Sequence, residues 1–522
     1  MKIKRKIIKL LSTAFIISMM GSMLTGCSSS TADTSNILNF GCTNFSDSLD
    51  PAAMPNAAWC VSRYGIGEAL FRFDDQMEAD YYLCDDYSVN GDNTEWTFHI
   101  RDGVKFSNGK ELTASAVVES IEYMYKQEKS GKGSSTPSVY MKYDSIKADD
   151  ESRTVTIKTS KPHTDLTKTL AHPYFSILDM ESDLVNKPVG TGPYKFVSWD
   201  AGQTITMEKN EEYFAGAANI YTIVFKIVTD DNAKAMQLLS GELDLAQITP
   251  KEESLFADND EFKVYDMTTS DYRGILYNFN NEYWQENADL IPAINYAIDR
   301  QAILDAVLLD KGEVAYGPLQ RNKYNNENVE HYDYNLEKSA EIFEAAGCTQ
   351  DADGYWCRNG ERISFTINAT PGDQVRIDMA QIAAQQLREA GLDVKADVPA
   401  GGIDWAGQEC CIIGWGSPFD ADDHTYKVFG TDKGANYSGY SNALVDEYLT
   451  QARQTEDENE RKEAYAKFQE VLAETPAYTF FCYIDALYAA ENTIQGIDED
   501  TVLGHHGVGI FWNICDWTIE NQ

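Results

Sequence analysis

Two hydrophobic periods meet inside one short stretch of this chain, and that meeting limits the fold more than any other feature. Trp96-Thr97-Phe98-His99-Ile100-Arg101 alternates apolar and polar residues, the period of a half-buried strand. Asp102-Gly103 and Asn108-Gly109 then supply tight turns. Thr113 follows as a hydroxyl cap, with Val117, Val118, Ile121 and Met124 on one face of a helix. Further strands are expected at Thr154 to Lys158, Thr204 to Met207 and Thr222 to Val228.

The second half is more helical. Ile291-Pro292 leads into Ala293 to Ile298, and Ile303, Leu304 and Val307 continue its apolar stripe. Asn335 caps Leu336 to Ala346, with Gly347 as a left-handed stop. Met379 to Ala390 repeats this design and ends at Gly391, and Glu460 to Glu474 turns Tyr465, Phe468, Val471 and Leu472 inward ahead of Pro476. Between these helices lie strands Ser364 to Ile367, Asp393 to Lys395 and Cys410 to Ile413. Alternation of this kind, without a fixed-period repeat, favours α/β lobes.

The N-terminus reads differently. Lys2, Lys4, Arg5, Lys6 and Lys9 precede an apolar run from Leu10 to Met20, the order of a secretory signal peptide, and no other segment is apolar for long enough to span a membrane. Leu24-Thr25-Gly26-Cys27 resembles the bacterial lipobox, which implies lipidation of Cys27 and cleavage just before it. Residues 1–26 are then the leader, residues 27–36 a polar tether, and the protein works outside the cell, held to the membrane by acyl chains.

The chain carries 43 basic and 83 acidic residues, a net charge of −40, which argues against nucleic acid and against broad docking on anionic lipid. Its 30 tyrosines and 9 tryptophans are too many for a disordered acidic protein and suit a ligand-facing aromatic surface. Setting Cys27 aside leaves an odd number of cysteines, so at least one has no partner in the chain. Cys348 and Cys357 flank the turn Asp351-Ala352-Asp353-Gly354, which leaves a bridge between them open, while Cys410-Cys411 reads as small buried thiols. The absence of Cys-x-x-Cys argues against a zinc site of the usual spacing.

Trp96 to Met124, WTFHIRDGVKFSNGKELTASAVVESIEYM, resembles the signature region of the family 5 solute-binding proteins of bacterial ABC importers, the dipeptide-, oligopeptide- and nickel-binding group. The likeness continues at Val189 to Tyr194, Asn210 to Phe214, Ser240 to Asp244 and Asn295 to Arg300, and ends around Trp415. These blocks carry structure more than chemistry: Gly190 and Gly192 allow a tight passage, Pro193 sets its exit, and Asp299-Arg300 reads as a fixed ion pair.

The resemblance implies a two-lobed, periplasmic-binding-protein-like α/β clamp of the large type II form. Domain I would comprise residues 37–75, 188–279 and 486–522, with domain II (76–187) inserted in that lobe and domain III (280–485) forming the other. Ligand would be enclosed as the lobes hinge shut, and the closed form would dock on permease subunits. The resemblance implies no cofactor, no enzymatic activity and a monomer at the outer face of the cytoplasmic membrane.

Gly414 to Tyr426, GWGSPFDADDHTY, is the most site-like segment and is expected as a loop at the mouth of a lobe. Peptide-binding relatives place there an Asp that pairs with the ligand's ammonium, because a buried ammonium needs a hydrogen-bonding counter-charge. Counting from Trp415 puts that Asp on Pro418; Asp420 is nearest, and Asp422 and Asp423 match the acidic end more loosely. Trp415 and Phe419 are candidate pocket walls. The Trp-Gly-Ser-Pro-Phe-Asp order resembles the nickel-binding branch equally well, but residues 430–434 lack that branch's His. His424 is one substitute metal ligand and His505-His506 another.

Peptide is the leading ligand class and a metal chelate the alternative. An extracellular hydrolase is disfavoured, since neither Gly-x-Ser-x-Gly nor His-Glu-x-x-His occurs. A sensor using the same clamp without transport stays open on sequence alone.

Overall fold

The computed structural model describes residues 36–520 except 44, 76–77, 201, 417–420, 456 and 505–508. Cys27, Phe419, Asp420, His505 and His506 therefore lie outside the described residues.

The first lobe is organised on a seven-stranded sheet. Its order is Phe262–Met267, Ala486–Glu491, Leu245–Ile248, Ile37–Cys42, Thr222–Ile227, Thr204–Lys209 and Tyr194–Asp200. Ile37–Cys42 is the central strand and runs parallel to both neighbours; the remaining pairs are antiparallel. The sheet is complete only when Ala486–Glu491 returns from the far end of the chain, so the lobe is discontinuous in sequence.

A separate four-stranded antiparallel sheet packs beside it, in the order Cys84–Val89, Glu95–Ile100, Thr154–Thr159, Tyr143–Asp149. Trp96, Phe98 and Ile100 are buried while the residues between them are half-buried, as the alternation requires. Helix Ala114–Ser130 covers this sheet through Val117, Ile121 and Met124, all in one core with Phe98 and Val155. The Thr113 hydroxyl accepts a hydrogen bond from the Ala116 N–H at 3.1 Å, and Gly131 ends the helix at φ 67°. Nearby, a Cβ on Gly192 would stand 2.0 Å from the Gly65 carbonyl oxygen, so the chain passes there only as glycine.

The second lobe has a six-stranded sheet, ordered Gly312–Val314, Tyr478–Ile484, Tyr272–Tyr277, Cys410–Trp415, Ser364–Asn368, Asp393–Asp397. Every residue of Tyr272–Tyr277 is buried, because cores lie on both faces. Ile275, Tyr277, Cys410 and Ile412 enter one core, and Tyr272, Leu276, Cys411 and Ile413 the other. Cys410 and Cys411 are thus buried thiols on opposite faces. Cys348 and Cys357 are also free, which closes the open question of a bridge: the hairpin register sets Thr349, not Cys348, opposite Cys357.

Two further expectations are corrected. Asp299 and Arg300 form no ion pair. Asp299 caps Arg300–Ile303 by accepting from the Ala302 N–H at 3.0 Å, while Arg300 donates to the carbonyls of Phe480 and Asn295 at 2.8 and 3.1 Å. The apolar stripe from Ala293 to Val307 enters one core as expected, but the backbone that carries it is divided into helices Ile291–Tyr296 and Arg300–Ile303 and a π-turn at Leu304–Leu308.

The chain crosses between the two large sheets twice, at residues 268–271 and at Asp485. Arg321 reaches both crossings, donating to the Thr269 carbonyl at 2.8 Å and pairing with Asp485 at 2.9 Å. Two α/β lobes joined by two short crossings make a clamp. No described helix is long and apolar enough to cross a membrane.

Candidate functional site

Strand Cys410–Trp415 carries its last residue to the edge of the second lobe, facing the first. Gly416 follows so close to the crossing that a Cβ there would lie 2.3 Å from the Asp271 Cα. The segment expected as a loop becomes a helix, Ala421–Phe429, with Asp422 and Asp423 in its first turn, where carboxylates suit the helix dipole. His424 lies within this helix; its side chain is outside the described residues.

Trp415 and Asp423 line a cavity of about 180 Å³ that draws walls from both lobes. The first lobe supplies Trp59, Arg63, Tyr140 and Tyr174, and the second adds Lys427 and Tyr437. The indole of Trp415 stacks on Tyr437 with ring centres 5.9 Å apart. Opposite, His172 is wedged among Trp59, Tyr140 and Tyr174, at 5.3, 4.0 and 4.5 Å between ring centres. Burial lowers the His172 pKa to about 3, against the pull of Asp423, so the ring is neutral and Nδ1 accepts from the Tyr174 N–H at 3.1 Å.

Charge in the cavity is arranged unequally. Lys427 Nζ lies 2.7 Å from an Asp423 oxygen and donates across the cleft to the Tyr140 hydroxyl, also at 2.7 Å. Asp422 turns away from the cavity and is gripped by Arg453, whose Nε donates to its two oxygens at 2.9 and 3.1 Å. Arg453 also donates to the Val139 carbonyl of the first lobe at 3.3 Å, and Arg461 of the second lobe pairs with Asp165 of the first. The lobes are therefore in contact around the cavity.

Arg63 differs from these groups. It ends helix Pro55–Arg63, and its Nε is buried with no hydrogen-bond partner. Burial opposes its charge, while the Tyr64 phenol, the Cys60 thiol and the Tyr488 phenol outweigh that and leave its pKa raised; no carboxylate is among these neighbours. Trp59 and Arg63 also line a second cavity, about 370 Å³, inside the first lobe. Its other walls include Phe71, Tyr82, Trp512 and the buried carboxyl of Glu68. Glu68 accepts from the hydroxyls of Thr191 and Tyr213 at 3.0 and 2.5 Å, and burial raises its pKa to about 7 despite those donors.

Sequence reading reached Trp415, Asp422 and Asp423 but not Trp59, Arg63, Tyr140, Tyr174, Lys427 or Tyr437. Lys427 is one helical turn beyond Asp423 and was legible as an i, i+4 pair. The first-lobe residues sit on three separate segments with no common motif. Among the described residues no group of three or more His, Cys, Asp or Glu is placed to hold a metal ion.

A cavity enclosed between two lobes that are joined by short crossings is the site of a solute-binding clamp. Residues 80–443 match the family described as bacterial extracellular solute-binding proteins, family 5, middle region, and the chain belongs to that family. It is 26% identical over 480 residues to the oligopeptide-binding protein AppA of Bacillus subtilis, covering 86% of this chain and 85% of that protein. It is likewise 26% identical over 453 residues to the glutathione-binding protein GsiB of Pectobacterium atrosepticum, covering 82% and 85%. The crystal structure of Campylobacter jejuni NikZ in complex with Ni(L-His) superposes with a TM-score of 0.84 at 28% identity, over 93% of this chain and 99% of that one. The protein is accordingly an extracellular substrate-binding protein for ABC import, and not an enzyme.

Proposed function

We propose that the protein captures a short peptide between its lobes and delivers it to an ABC permease. The cavity walled from both lobes carries this reading: a ligand seated there would touch Trp415 and Tyr437 on one side and Tyr140 and Tyr174 on the other, and so would favour closure. The aromatic walls give contact without demanding one side chain, and together the two cavities are of the size of pockets for small ligands. The names of AppA and GsiB point the same way. In this reading Trp415 and Asp423 face the ligand, Asp422 holds the helix in place through Arg453, and Phe419 and Asp420 complete the loop between them. Domains I, II and III divide as the sequence resemblance implies, and Cys27 carries a lipid that keeps a monomeric clamp at the outer face of the cytoplasmic membrane.

A nickel chelate is the second reading. Val502 and Gly509, which flank the segment containing His505 and His506, line the first-lobe cavity, and NikZ was solved with such a ligand. Mass spectrometry of ligand released from protein purified without refolding tests both. A bound peptide supports the first reading and a nickel complex the second. Thermal shifts decide if the protein is empty: stabilisation by short peptides supports the first, and stabilisation by nickel-histidine alone replaces it.

A further inference from the structure

The wall between the two cavities contains one charged group to which no described residue supplies a counter-charge. Arg63 lines both spaces, its Nε is orphaned, and no described carboxylate forms an ion pair with it. This is unexpected in a chain with 83 acidic and 43 basic residues. The other charges facing the cleft cavity, Asp423 and Lys427, neutralise each other. The end of helix Pro55–Arg63 favours a cation, and the guanidinium lies 5.8 Å from the Tyr64 ring centre. Neither contact offers the paired oxygens that a guanidinium fork is shaped to take, and the half-buried side chain keeps its Nε shut away from water without a partner. The first-lobe cavity behind Arg63 has Trp59, Phe71, Tyr82 and Trp512 among its walls, with Glu68, Arg72, Asp74 and Asp516 as its charged lining, so a planar group can stack there beside polar partners.

Building on the capture reading above, we propose that the ligand bears a carboxylate that pairs with Arg63, and that the group beside this carboxylate enters the aromatic first-lobe cavity. The ligand therefore spans both cavities, with Arg63 at the junction as its specificity-determining contact. A peptide C-terminus and the amino-acid carboxylate of a metal chelate share this chemistry.

Calorimetric titration of the full mature chain distinguishes these sources. The probes are Ala-Phe, its C-terminal amide, Ala-Gly, and Ni²⁺ with either L-histidine or histamine, which lacks the carboxylate. The wild type should bind Ala-Phe roughly 10- to 100-fold tighter than the amide, with Ala-Gly weaker than Ala-Phe. Arg63→Gln should abolish the preference for the acid. If only the nickel-histidine complex binds, the same contrast is read against histamine. Equal binding of acid and amide, or of the two nickel complexes, overturns the inference while cleft capture stands, and so does an acid preference that survives Arg63→Gln. Failure of every probe to bind wild-type protein removes both ligand readings, and this inference with them. Should Arg63→Gln not fold, the acid and amide contrast in the wild type is decisive by itself.

Discussion

Lys427 of the second lobe donates its Nζ to the Tyr140 hydroxyl of the first lobe at 2.7 Å, while Asp423 holds the same ammonium at 2.7 Å. A cation fixed on one wall of the cleft thus reaches an acceptor on the other. Ligand closure and this contact are formed together, so weakening one weakens the other.

Tyr140→Phe isolates that contact, because it keeps the ring against His172 and leaves the Lys427–Asp423 pair intact. Ligand affinity should fall about 3- to 10-fold, the worth of one ordinary hydrogen bond, since Asp423 still holds the ammonium. Thermal unfolding of the empty protein should change little. Unchanged affinity in a calorimetric titration would show that this bridge does not contribute to closure.

Gly192→Ala should destabilise the first lobe by about 2 kcal/mol or more, since the new methyl meets the Gly65 carbonyl oxygen and the backbone on both sides must shift. Differential scanning calorimetry should show a transition several degrees lower. A variant with wild-type unfolding would mean that this passage is looser than the geometry indicates.

The stability contributed by Glu68 should depend on pH in one direction. Its carboxyl pKa in the fold is about 7 against an ordinary value of 4.5, so between these values the folded protein holds a proton that the unfolded chain releases. Stability from this group is therefore full below about pH 4.5 and declines as pH rises through 7. Glu68→Gln removes the titration, and the variant should gain stability relative to wild type from pH 5 to pH 8. A difference in melting temperature that stays flat across that range contradicts the assignment.

Cys27→Ser should release the protein from the membrane fraction into the soluble extracellular or periplasmic fraction and abolish its labelling by a fatty-acid probe. Retention at the membrane without label would mean that something other than an acyl chain holds it.

The local elements were largely legible because their signals are local. The Thr113 hydroxyl and the spacing of Val117, Ile121 and Met124 act within one helix, and that helix starts at Ala114 as expected. The same holds for Asn335 and Gly347 around Leu336–Ala345. Misreadings occurred where a distant partner decided the outcome. Arg300 was expected to pair with its neighbour Asp299, yet it is satisfied by carbonyls that include Phe480, 180 residues away. Asp422 is as acidic as Asp423 in sequence, and only the position of Arg453 turns it out of the cavity.

By itself the sequence determined the α/β class and the family, since periodicity and ordered motifs are written along the chain. The tertiary structure alone decided what the cleft is made of. Trp59 and Arg63, Tyr140, Tyr174 and the helix from Ala421 are far apart in sequence and meet where the two lobes face each other, the chain having crossed between the sheets twice. That no described carboxylate pairs with Arg63 is a relation between many side chains and one guanidinium, and such a relation exists only in three dimensions.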